Sequence, residues 1–89
     1  MTKHKQLLQE ALEIQEQRAQ HYGPFEQAIE SIANLSSEIT GKNITPWDVC
    51  MMHVSTKLRR LATTKDHRDS YVDLMNYVAF AYTFAEKEK

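Results

Sequence analysis

Glycine and proline interrupt this 89-residue chain at only three places, Gly23-Pro24, Gly41 and Pro46. Between those breaks apolar residues recur at three- and four-residue steps, a pattern that confines the chain to long helices joined by short turns. The expected fold is all-α, a compact four-helix domain. A chain of 89 residues can build one hydrophobic core and not two, so residues 1–89 are expected to form a single domain.

The first helix is expected from about Thr2 to Tyr22, with Leu8, Leu12, Ala19 and Tyr22 on one stripe and Leu7, Ala11 and Ile14 beside it. Gly23 suits the left-handed residue after a helix, and Pro24 suits the first turn of the next. The second helix, Pro24 to Thr40, places Phe25, Ala28, Ile29, Ile32, Leu35, Ser36 and Ile39 on one face, opposite Glu26, Gln27, Glu30 and Glu38. Gly41 stops it. In the third helix Thr45 can cap, Pro46 takes the first position, Asp48 follows three residues after the cap, and Ile44 and Val49 can form a staple. Its core face reads Trp47, Cys50, Met51, Val54, Leu58 and Leu61.

The fourth helix is expected to be capped by Asp66 and to run from Arg68 to about Lys87. From Tyr71 to Ala85 it is apolar nearly all round, which calls for burial on more than one side. In so small a domain part of that surface is expected to meet another chain, giving a homo-oligomer through the C-terminal helix.

A net charge of −1 leaves no excess of Lys and Arg to neutralise phosphates, so bulk nucleic acid is not an expected partner. No apolar stretch approaches the roughly 20 residues of a membrane span, and the N-terminus lacks the apolar core of a signal peptide. The lone cysteine, Cys50, cannot form an intrachain disulfide and reads as a small buried hydrophobe. These features together point to the cytoplasm.

The chemistry-bearing residues fall in two places. If the third and fourth helices form an antiparallel hairpin turning near Thr63 to Lys65, Arg60 matches Asp69 in height and Lys57 matches Asp73, while His53 extends the basic stripe by one turn. Such pairs can simply fix helix register. Alternatively they line a polar pocket in which Lys57 and Arg60 bind phosphate oxygens and the aspartates bind a sugar hydroxyl or a divalent metal. The second cluster, Arg18, His21, Tyr22, Gly23 and Phe25, sits at the first corner. It is either corner packing or a place where Tyr22 or Phe25 stacks a base and Arg18 contacts a phosphate. His4, His21, His53 and His67 show no paired metal-ligand spacing, and Ser70 has no identifiable base partner in the sequence.

Arg18 with Tyr22-Gly23 and Phe25, Ile44-Thr45-Pro46 with Asp48-Val49, Lys57 and Arg60, and His67-Arg68-Asp69-Ser70 with Asp73 and Tyr77 form a pattern that resembles a family of small helical proteins of phages and prophages. The last of these segments is more distantly similar to the metal-binding helices of MazG-like all-α nucleoside triphosphate pyrophosphohydrolases. That resemblance implies an oligomeric helical fold in which carboxylates bind Mg²⁺ and activate water against a nucleotide phosphate. This chain departs from it. Glu10 and Glu13 have a suitable spacing on the first helix, Asp69 and Asp73 are four apart, and a full carboxylate set is not evident.

The expected function is therefore phage-type nucleotide binding without a catalytic residue or cofactor, in the host cytoplasm. Arg18, Tyr22, Phe25, Lys57, Arg60, Asp69 and Asp73 are the binding residues, and the role is sequestration of a host nucleotide signal as an anti-defence sponge. The alternatives are a MazG-like hydrolase with Asp69 and Asp73 as Mg²⁺ ligands and Glu10 or Glu13 contributing, and an inhibitor or adaptor that binds a host protein.

Overall fold

A computed structural model describes residues 2–22 and 24–88, and for Tyr22 the backbone alone. Four helices follow one another, α1 (Lys3–Tyr22), α2 (Phe25–Thr40), α3 (Pro46–Thr63) and α4 (Arg68–Lys87), and no strand occurs among the described residues. The expected helix boundaries agree to within two residues, the ordinary spread at helix ends. The role expected of Gly23 at the end of α1 lies outside the described residues.

The α2–α3 connection shows how local sequence fixes the chain's path. Gly41 takes the left-handed conformation at φ 70°, and its N–H donates to the Ser37 carbonyl at 2.9 Å. Ser37 then closes the turn, its hydroxyl accepting from the Ile44 N–H at 2.9 Å. Thr45 and Asp48 complete a reciprocal capping box: the Asp48 N–H donates to Thr45 Oγ1 at 3.1 Å and the Thr45 N–H to Asp48 Oδ2 at 2.9 Å. Ile44 packs against the core cluster that contains Val49, as a staple would.

Asp66 does not cap α4. His67 occupies the cap position without a side-chain bond to the helix backbone, and its Nδ1 shares a hydrogen bond of 2.7 Å with the buried Ser70 hydroxyl. The α3–α4 hairpin is antiparallel, as expected, and its contact is the most extensive in the fold. Lys57 meets Asp73 and, one turn away on each helix, His53 meets Tyr77.

The core lies where α2, α3 and α4 converge, built from Ile29 and Ala33, Val49 and Cys50, and Phe80, Ala81 and Phe84. Burial of α4 on several sides is thus supplied largely from within the chain, leaving Tyr71, Val78 and Tyr82 exposed. Two expected core faces are only half used. On α2 the side bearing Ile29 and Ala33 is buried while Ile32, Leu35 and Ile39 stay exposed, and on α1 Ala11 is buried while Leu8 and Leu12 are exposed. The physical reason is that α1 and α2 barely touch, so neither covers the other's outer stripe. Trp47 and Leu58, expected in the core face of α3, are also exposed.

Thr45→Ala removes an acceptor from the capping box without touching the core. It is expected to cost about 1 kcal/mol of stability, read as a lower urea midpoint with an unchanged slope.

Candidate functional site

Where α1, α2 and α4 diverge they leave a cleft of about 190 Å³. Phe25, Tyr77 and Phe80 form its apolar wall, and Arg18, Asp73 and Asn76 supply polar groups. The wall belongs to a continuous series of rings. Phe25 stacks on Phe80 with centroids 4.2 Å apart, Tyr77 leans on Phe25 at 5.6 Å, and His53 of α3 stacks on Tyr77 at 4.5 Å. Offset and tilted contacts of this kind each add to the burial of the rings themselves.

Asp73 is the electrostatic centre of the site. Its Oδ2 lies 3.0 Å from Lys57 Nζ and its Oδ1 3.4 Å from Arg18 Nη1, so one carboxylate joins α1, α3 and α4. Asp73 is well covered and Arg18 half exposed. A guanidinium carries five N–H donors, and one long contact to Asp73 leaves Arg18 able to bind an anion at the cleft mouth. Asn76, one turn further along α4, donates to the Ala11 carbonyl at 3.0 Å and accepts from Gln15 Nε2 at 3.3 Å. These bonds hold α1 against α4 by polar contacts.

Burial shifts two groups of the ring series. The Tyr77 phenol is pushed up from its usual 10.0, first by burial and then by the Asp73 carboxylate, against the opposing pull of Lys57 and Arg18. It therefore stays protonated. The His53 imidazole is held below its ordinary 6.5, chiefly by burial and secondly by Lys57, and is neutral at pH 7. Cys50, in the core, is pushed up to about 11 by burial, which removes it as a nucleophile.

The residues singled out in the sequence divide accordingly. Arg18, Phe25 and Asp73 line the cleft, and Lys57 stands behind Asp73. Arg60 lies elsewhere, in a shallow groove on α3 with Ser55, Thr56, Arg59 and Thr63. Asp69 is exposed, and no ion pair joins it to Arg60 among the described residues. The Tyr22 side chain lies outside the described residues. Tyr77, Asn76 and Gln15 were not among the expected binding residues. Tyr77 carried the one available signal, since it follows Asp73 by four residues and so falls on the same helix face.

Glu10, expected as a possible metal ligand, is ion-paired with Arg68. Among the described residues no group of three or more His, Cys, Asp or Glu side chains is placed to hold a metal ion. No helix is long and apolar enough to cross a membrane.

The neutral state of His53 has a consequence for stability. Its folded pKa lies below its unfolded value, so its contribution is intact above pH 6.5 and is lost as the pH falls from there through the folded pKa, because the unfolded chain takes up the proton first. Thermal melts are expected to show a fall in Tm between pH 7 and pH 5 that is smaller in His53→Phe, where the stacked ring remains and the titration is gone.

A family model described as a domain of unknown function (DUF6378) matches residues 6–85, and the chain belongs to that family. No curated protein and no solved structure matches it.

Proposed function

We propose that this DUF6378 chain binds a nucleotide, or a small molecule derived from one, through the α1–α2–α4 cleft and does not hydrolyse it. The observation that carries this reading is the pairing of an aromatic wall, Phe25, Tyr77 and Phe80, with the half-exposed Arg18 and the well-covered Asp73 at one cleft. Ring faces take a planar base, Arg18 takes an anionic oxygen, and Asp73 accepts from a sugar hydroxyl or a base N–H.

Size refines the assignment. At about 190 Å³ the cleft is smaller than the roughly 300–1,000 Å³ of sites that enclose drug-sized ligands. It accommodates a base and leaves sugar and phosphates at the mouth, beside Arg18. Lys57 acts by holding Asp73 in place rather than by reaching phosphate, because its ammonium is engaged at 3.0 Å.

The resemblance to phage and prophage proteins gives this binding a use, sequestration of a host nucleotide signal in the host cytoplasm. The MazG-like hydrolase reading is less well supported. Mg²⁺ needs several oxygen ligands facing one cavity, whereas Glu10 is held by Arg68, Asp73 by Lys57 and Arg18, and Asp69 is exposed. The donor set does not fit the metal.

Calorimetric titration with a panel of mono-, di- and triphosphate and cyclic nucleotides tests the reading. Binding is expected with the ligand recovered intact, weakened about tenfold or more in Arg18→Ala and unchanged in Arg60→Ala, both with wild-type circular dichroism. Failure of every nucleotide to bind would refute the reading. Loss of affinity in Arg60→Ala alone would move the site to the α3 groove, and turnover of the ligand abolished by Asp73→Asn would establish the hydrolase instead.

A further inference from the structure

The two outer stripes left uncovered by this chain have the same spacing. On α1 the positions are Leu8, Leu12, Gln15 and Ala19, and on α2 they are Ala28, Ile32, Leu35 and Ile39, each advancing by four, three and four residues, and all are exposed but Gln15, which is half-buried against Asn76. That is the narrow seam by which one helix packs along another, rather than the scattered exposure of isolated side chains. The exposure is large, with Leu8 at 57%, Leu35 at 58% and Ile39 at 84%.

Area indicates what covers the seam. The chain exposes 6564 Å², whereas a monomeric globular protein of 10.4 kDa exposes about 5,400 Å². The excess is comparable to the roughly 800 Å² that each partner contributes to a standard stable interface. The radius of gyration agrees, at 14.1 Å against about 12 Å for a self-contained domain of this length.

We propose that a second copy of this chain covers the α1 and α2 stripes, so that the protein is a dimer about a two-fold axis. Across such an axis the exposed Leu8 and Leu12 of one protomer and Ile32, Leu35 and Ile39 of its partner are the apolar side chains available to bury. The interface lies on α1 and α2 rather than on α4, where self-association was expected from sequence.

Gln15, Ala19 and Ala28 belong both to the stripes and to the cleft wall. The partner therefore closes the cleft mouth, and the binding site is completed between subunits. The dimer itself follows from exposed area and stripe spacing and is independent of what the cleft binds.

Sedimentation of the full chain at micromolar concentration tests this. The wild type is expected at twice the chain mass of 10.4 kDa. Leu35→Ala with Ile39→Ala is expected to raise the dimer dissociation constant about tenfold or more, and Val78→Ala with Tyr82→Ala on α4 to leave it unchanged. Amide exchange of the wild type across a dilution series supplies a readout that needs no variant, and protection is expected to fall in α1 and α2 as the dimer dissociates. A wild-type monomer, a dimer indifferent to the α2 variant, or dilution-dependent exchange confined to α3 and α4 would each overturn the proposal.

Discussion

The stack of four rings, Phe80 on Phe25, Phe25 beside Tyr77, Tyr77 on His53, is the interaction on which the rest of this structure depends. It joins α2, α4 and α3 at one level of the fold and sets how closely α2 approaches the α3–α4 hairpin. Below it the core closes around Cys50 and Phe84. On its other side the same rings become the wall of the cleft. A packed core and a ring-lined cleft thus share residues, and a neutral, half-buried His53 is the consequence at the far end of the stack.

Helix α1 is held differently. Arg18 reaches Asp73, Gln15 and the Ala11 carbonyl meet Asn76, Glu10 pairs with Arg68, and Ala11 is the one buried apolar side chain of the helix among the described residues. Ion pairs with exposed partners contribute at most about 1 kcal/mol each, so these contacts fix position more than they add stability. A helix docked this way belongs to the least stable part of a fold, which is where ligand-gated elements are drawn from. Filling the cleft and pairing with a second chain would both supply the apolar contacts that α1 lacks.

The helices and their ends were legible because their signals are local: Gly41, the Thr45-Pro46-Asp48 cap and the apolar periodicity act within a few residues. The Lys57–Asp73 match was legible for a similar reason, since an antiparallel hairpin with a short turn fixes heights by counting from the turn. The same counting failed for Arg60 and Asp69. Equal height does not make two side chains face each other, and the rotation of each helix is set by packing that one sequence does not display. The cleft was hardest to see. It depends on how far α1 and α2 diverge, which is a tertiary quantity, and so Tyr77 and Asn76 read as ordinary positions of an apolar helix. Periodicity likewise marked Ile32, Leu35 and Ile39 as a buried face without showing that their own chain leaves it uncovered.

Binding of a nucleotide at the aromatic cleft has a direct spectroscopic readout. Aromatic proton–carbon correlation spectra of the protein, recorded while a nucleotide is added, report on the rings that form it. Stacking of a base predicts saturable upfield shifts of the Phe25 and Tyr77 ring signals, with His53 perturbed less because it lies behind Tyr77. Phe25 and Tyr77 ring signals that stay fixed while the nucleotide binds would contradict this.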